Sequence, residues 1–139
     1  MNDRFIKCMY VFFIILLCTV QSYAADLYKN SINKEKVCGK PLIMEFEEIE
    51  RTEHYSLCKI KHIEGAAFAS ISFEVHCYCE IAKIRGSKYF ASIEHSNNDD
   101  GTWTTKVAFM DSKDIDFKKL YGKDIDDEKI TSIEDCKYY

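Results

Sequence analysis

The sequence predicts an α+β fold with an antiparallel, mostly meander sheet of about five strands, short helices at the N- and C-terminal ends, and stabilising disulfides. Three observations predict it. Apolar and polar residues alternate from residue 71 to residue 81, which is typical of a strand. Turn-forming residues separate this segment from two further alternating segments. Five cysteines remain once an N-terminal leader is set aside.

The stretch from residue 68 to residue 110 is predicted to form three neighbouring antiparallel strands. A loop at Arg85–Ser87 and a turn at residues 96–102 would connect them. These connections would place Ile81 opposite Ala91, and Ala91 opposite Val107. All three strands would then turn their odd-numbered residues to one face, because strand side chains alternate between faces. The side chains expected to be buried on that face are Phe73, Val75, Ile81, Ile93, Val107 and Phe109.

The first 24 residues have the pattern of a secretory signal peptide. Arg4 and Lys7 precede an apolar run from Tyr10 to Leu17, and small residues around Ala24 suit a signal peptidase. The apolar run is short for a membrane span. We therefore expect residues 1–24 to be removed and residues 25–139 to form a single small domain, periplasmic or extracellular.

The segments that flank the central stretch complete the predicted fold. Residues 26–36 are expected to form a short helix or an ordered arm. Two further strands are predicted, one around Leu42–Phe46 and one over Tyr55–Ile63, because apolar residues alternate in both. In the tail, Ser112 can cap one short helix that ends before Gly122. Asp126 or Asp127 can cap a second one, and both helices would cover the sheet.

The charge balance restricts the class of partner. Without the leader the chain has 17 basic and 22 acidic residues, a net charge of −5. This balance argues against a nucleic-acid partner and against an anionic membrane after signal cleavage. It permits a protein partner, including a basic one. The sequence indicates no cofactor and does not determine the oligomeric state.

The cysteines are expected to form disulfides, because exported chains of this size commonly pair them. The candidates are Cys38, Cys58, Cys77, Cys79 and Cys136. On a strand, Cys77 and Cys79 would be too far apart to bond each other. Cys136 is expected to bond one of them and Cys38 or Cys58 the other, which leaves one cysteine unpaired.

No catalytic or metal-binding group is predicted, although the chain contains the residue types for several. Cys77, Cys79 and His95 could hold zinc, but their spacing is unusual and exported cysteines usually oxidise. A cysteine nucleophile with His95 as its base would need an electropositive site that this segment lacks. The glutamates at positions 45, 47, 48 and 50 are expected to be solvated. Residues 97–100 are explained by a turn and do not match a calcium-binding loop.

The leading functional hypothesis is therefore a non-enzymatic exported binding protein. No family is recognised over the whole chain, but GSKYFAS at residues 86–92 and GTWTTKVAF at residues 101–109 resemble the SGxxY and tryptophan segment of periplasmic lysozyme inhibitors. This resemblance favours an inhibitor or immunity protein that acts on a toxin or a cell-wall hydrolase. A secreted effector that binds a host protein, or a small hydrolase with an unrecognised site, is the alternative.

Overall fold

A computed structural model describes residues 27–37 and 39–139; the predicted signal peptide and Cys38 lie outside this part of the chain. The elements in chain order are β1 (Lys29–Val37), β2 (Lys40–Arg51), β3 (Tyr55–Glu64), α1 (Ala67–Arg85), β4 (Tyr89–Asn97), β5 (Trp103–Met110), α2 (Phe117–Tyr121), a 3₁₀ turn (Asp127–Lys129), β6 (Thr131–Ser132) and a 3₁₀ helix (Ile133–Tyr138). The six strands form one antiparallel sheet in the order β1-β2-β3-β5-β4-β6, curled into a half-barrel. The antiparallel sheet was predicted, but several of its parts differ from the prediction.

The prediction of a central strand was wrong, because the segment forms helix α1, which is 19 residues long. Ala69, Phe73, Cys77 and Ile81 are buried at a spacing of four, which places them on one side of a helix. The same four positions are all odd-numbered, so they also satisfy the alternation of a strand. Gly86 ends the helix with a left-handed backbone (φ 69°), and the predicted hairpin loop at Arg85–Ser87 is therefore a helix cap.

The concave face of the sheet holds α1. Alternate residues of β2 point to this face and are buried, as are Cys58 and Ile60 of β3 and Val107 and Phe109 of β5. Of the predicted core residues, Phe73, Ile81, Val107 and Phe109 are buried, while Val75 and Ile93 are only partly buried. The four buried residues belong to one core, in which Phe73 and Ile81 come from α1 and Val107 and Phe109 from β5.

The segment that follows β5 covers the opposite face of β4 and β5. A second apolar cluster there joins Ala91, Ala108 and Met110 of the two strands to Phe117 and Ile130. The predicted first tail helix begins at Phe117 with Asp116 as its cap, not Ser112, and it ends before Gly122 as expected. The second predicted tail helix is replaced by the 3₁₀ turn, β6 and the 3₁₀ helix.

Two predictions about the strands were wrong. Residues 26–36 were expected to be helical or an arm, but they contribute most of β1, which pairs with β2. The β4–β5 hairpin turns within residues 96–102 as predicted, yet its register differs: Ala91 lies opposite Ala108, not Val107. The difference begins at the turn, where Asn97 pairs with Trp103; an irregularity between Ser92 and Glu94, as in a β-bulge, then shifts the register by one residue.

Candidate binding surface

A groove opens between β1 and the N-terminal half of α1. Its volume is about 560 Å³ and most of its wall is apolar. The floor comes from Leu42 of β2 and Phe73 of α1, both buried in the core. The side chains that line its walls include Ile32, Lys34, Phe68, Ser72, His76 and Tyr139. The groove is therefore a break in the packing between an edge strand and the helix.

The helix surface beside this groove exposes large apolar side chains. Phe68 is 77% exposed and Ile71 is 58% exposed. They lie three residues apart, so they are neighbours on one side of α1. A helix in a globular protein normally turns polar residues to water, and a helix that is apolar on both sides is normally covered on both. Near its N-terminal end, the outer face of α1 thus has the composition of a buried face.

The groove has one basic side chain, Lys34, and no carboxylate side chain among its lining residues. Lys34 and His76 contribute to its walls. Within the described part of the chain neither of them is part of an ion pair, whereas Lys29 at the start of the same strand binds Glu47 at 2.5 Å. The first turn of α1 contains no acidic residue, and its cap residue Ala66 has no side chain that could accept a hydrogen bond from the helix. The local charge is opposite to that of the acidic chain as a whole.

A buried carboxylate lies at the other end of the helix. Glu48 is fully buried, and its oxygens accept hydrogen bonds from the Arg51 guanidinium, from Ser56 Oγ (2.6 Å) and from the Tyr28 N–H (3.0 Å). Burial acts to raise the pKa of Glu48, but the hydrogen bonds from Arg51, Ser56 and the Tyr28 amide outweigh it and hold that pKa below its ordinary value. The expectation that this glutamate is solvated was wrong.

Arg85 extends this network to α1. Its guanidinium donates to the carbonyl oxygens of Thr52 (2.7 Å) and Glu53 (2.9 Å) and to Ser56 Oγ at 3.3 Å. It also stacks over the Phe109 ring, 4.9 Å from the centroid. The network therefore joins the end of α1 to β2, β3 and β5, and we interpret it as structural. The other predicted glutamates make surface contacts: Glu45 and Glu47 pair with lysines, and Glu50 accepts from the Tyr55 hydroxyl.

The described cysteines form one bridge. Cys79 of α1 and Cys136 of the C-terminal 3₁₀ helix are bonded, with their Cα atoms 5.9 Å apart. Cys77 and Cys79 do not bond each other, and Cys136 takes one of them, as predicted. The expected bridge from Cys77 to Cys38 or Cys58 was wrong, because Cys58 and Cys77 are buried free thiols. On a helix, residues two apart point in nearly opposite directions, so Cys77 faces the sheet and Cys79 the 3₁₀ helix.

The histidine and cysteine candidates for chemistry are not brought together. Burial raises the pKa of Cys77 to about 12, and its sulfur contacts the Asn30 side chain at 3.9 Å. His95 lies in another place, where its Nδ1 is 3.2 Å from the Thr105 hydroxyl and its ring packs beside Trp103. Within residues 27–37 and 39–139, no group of three or more His, Cys, Asp or Glu side chains could hold a metal ion.

A polar cluster beneath the helix contains a carboxyl group that sequence reasoning missed. Glu74 accepts a hydrogen bond from the Tyr78 hydroxyl, and burial raises the pKa of Glu74 although that bond opposes the shift. His95 and the Trp103 indole N–H also favour the charged form of Glu74. Trp103 Nε1 is nevertheless buried without a hydrogen bond of standard geometry. The cluster is closely packed between α1 and β5.

In the hairpin turn, residues proposed and rejected as calcium ligands serve the turn itself. Asp100 accepts from the Thr102 N–H (3.1 Å) and binds Lys59 (2.9 Å), and hydrogen bonds from Thr102 and Lys59 lower its pKa. The Asn98 amide donates to the hydroxyls of Thr102 and Thr104, both at 2.9 Å. These contacts fix the turn between β4 and β5.

Comparison with known proteins identifies no relative: no family model, no curated protein and no solved structure matches this chain. No helix in the described part of the chain is long and apolar enough to span a membrane.

The exposed face of α1 was missed by sequence reasoning. The sequence signal is the spacing of three between Phe68 and Ile71, which makes them neighbours on one side of a helix, but the segment was predicted to be a strand.

Proposed function

We propose that this protein is an exported, non-enzymatic protein that binds another protein through the outer face of α1 and the adjoining groove. The observation that carries the proposal is the exposure of Phe68, which lines a groove of about 560 Å³, and of Ile71, three residues further along the same helix. Contiguous apolar surface of this kind marks interaction sites on soluble proteins. Export is supported by the leader pattern and by the Cys79–Cys136 disulfide, since disulfides persist in oxidising compartments.

The concrete form of the proposal is an inhibitor or immunity protein that covers a site on a toxin or a cell-wall hydrolase. An inhibitor of this kind needs a rigid surface, because less ordering entropy is lost when a pre-organised surface binds. Two features fix the C-terminal half of α1 in this sense: the Cys79–Cys136 disulfide and the three hydrogen bonds of Arg85 at the helix end. A secreted effector would use the same surface but would leave the producing cell.

We expect aspartate at either exposed apolar position to weaken partner binding. The mature protein is used to capture its partner from the periplasm and the medium, and the dissociation constant is then measured for each variant. Ile71→Asp and Phe68→Asp should each raise it by about tenfold or more, because burying one such side chain contributes about 1.5–3 kcal/mol. Thermal unfolding should change little, since both side chains are exposed.

The matched control is Ile84→Asp. Ile84 is 54% exposed on the same helix, close to its C-terminal end and far along the axis from the groove. The Ile84→Asp variant should leave the dissociation constant for the partner unchanged. Equal losses of affinity from Ile71→Asp and Ile84→Asp would contradict this assignment of the binding surface. So would unchanged affinity in both Phe68→Asp and Ile71→Asp.

A further inference from the structure

Strand β1 is an edge of the sheet, with no strand beyond it in the described part of the chain. The Glu48 N–H donates to the Tyr28 carbonyl at 2.8 Å, and hydrogen-bonded pairs alternate along an antiparallel ladder. The backbone groups of Asn30 and Ile32 therefore face β2, and those of Ser31 and Asn33 face outward. The Ser31 N–H is held by Asn30 Oδ1 at 2.8 Å, whereas the Asn33 N–H, two residues further along, points outward by the same alternation.

The open edge and the exposed helix face adjoin the same groove. Ile32 and Lys34 turn to the concave side of β1 and line the groove, and Phe68, Ser72 and His76 line it from the helix. A further strand would lie about 4.8 Å beyond β1 in the direction that the half-barrel curls. Its inward side chains would enter the groove and could cover Phe68 and Ile71. One extended segment would thus satisfy the open edge and cover the apolar face together.

The charge of β1 selects the kind of segment. Residues 29–37 contain Lys29, Lys34, Lys36 and Glu35, a net charge of +2 in a chain whose net charge is −4. Lys29 is already paired with Glu47, which leaves Lys34 as the basic side chain in the wall of the groove. Pairing with β1 of a second copy would place two strands of net positive charge side by side, which is unfavourable. The complement of this edge is an acidic strand.

We infer that the partner docks by strand addition: an extended segment of another protein, with apolar residues at alternate positions and acidic residues among them, pairs with the free edge of β1 and fills the groove. This inference rests on the proposed function and names how the partner is held. A basic partner was expected from the charge of the whole chain. The charge of this groove favours an acidic segment instead. Main-chain hydrogen bonds supply affinity in this mode, and the groove supplies specificity.

The test uses a phage-displayed library of random peptides of about ten residues, the length of one long strand. The mature protein is the bait, and enriched peptides are synthesised and their dissociation constants measured. We expect acidic sequences with alternating apolar residues. Asn33→Pro should weaken their binding about tenfold, the effect of one lost hydrogen bond, because proline removes an outward-facing N–H. Asn33→Ala keeps that N–H and should bind like the wild type, and proline is tolerated on an edge strand.

The outcomes separate the two proposals. Loss of binding in both Ile71→Asp and Asn33→Pro supports strand addition on the proposed surface. Loss in Ile71→Asp with none in Asn33→Pro leaves the binding surface standing and overturns strand addition. Peptides with methyl groups on alternate backbone nitrogens should bind about tenfold more weakly, because methylation removes the donors of a ladder. Unchanged binding of methylated peptides, enrichment of basic peptides, or no enrichment at all contradicts the inference.

Discussion

Replacing Glu48 with alanine is expected to lower the free energy of unfolding by about 3–5 kcal/mol, the usual loss when one partner of a buried ion pair is removed. The carboxylate is fully buried and Arg51, its ion-pair partner, is only 15% exposed. Without the carboxylate, the Arg51 guanidinium, the Ser56 hydroxyl and the Tyr28 N–H each lose an acceptor in a poorly solvated place. Denaturation by urea, followed by the fluorescence of Trp103, measures the loss.

The neighbouring Glu47 provides the control for this prediction. Glu47 also binds a cation, Lys29, but both side chains are largely exposed, so Glu47→Ala should cost only about 0–1 kcal/mol. The stability from Glu48 requires its ionised form, because its pKa is lowered on folding. That stability is present above the ordinary pKa of 4.5 and is lost as the pH falls through the lowered value. Equal losses for the two variants, or a Glu48→Gln variant with the acid sensitivity of the wild type, would show that Glu48 is not the buried ion-pair partner.

Loss of the Cys79–Cys136 bridge is expected to lower the free energy of unfolding by about 4 kcal/mol. The two cysteines are separated by 57 residues, and the chain-entropy relation gives about this value for a loop of that length. The bridge also holds the C-terminal 3₁₀ helix against α1. The Cys79→Ala/Cys136→Ala double variant, or a reducing agent added to the wild type, should lower the urea midpoint by similar amounts.

Cys58→Ala is the control for the disulfide prediction. Cys58 is a buried free thiol, so this change should cost about 1 kcal/mol for the apolar surface lost, and the variant should stay sensitive to reducing agent. Burial raises the pKa of both free thiols, so Cys58 and Cys77 should react with alkylating agents only after unfolding. A wild-type midpoint that does not respond to reducing agent, or a peptide map that links Cys77, would contradict the assignment.

The sequence predicted the antiparallel sheet but misassigned its central segment, for a reason that residues 71–81 make clear. Phe73, Cys77 and Ile81 repeat every four residues, and four is compatible with both the helical period and the alternation of a strand. Ile71 and Val75 discriminate between the two. On a strand they would share the buried face, whereas on the helix Ile71 is exposed and Val75 only partly buried. Ile71, one of the residues that made the alternation look complete, is part of the surface proposed to bind.

Other features could not be predicted because they depend on contacts between distant residues. Glu48 looks like its exposed neighbours in the sequence, and its burial follows from Arg51, Ser56 and the Tyr28 amide being brought around it. β1 has few apolar residues, so its strand character comes from pairing with β2 and not from its own pattern. Cys136 could be predicted as a bridge partner, because the tail was expected over the central segment. The choice of Cys79 followed only from the direction of side chains on α1.

Amide hydrogen exchange in the complex with the captured partner tests directly whether β1 and the first half of α1 form the binding surface. We expect the partner to slow exchange in residues 29–35 of β1, at the outward-facing amide of Asn33 above all, and in residues 67–76 of α1. Exchange in α2 (Phe117–Tyr121), which covers the opposite face of the sheet, should stay the same. Protection confined to α2 and its neighbours, with β1 and the first half of α1 exchanging as in the free protein, would contradict this assignment of the binding surface.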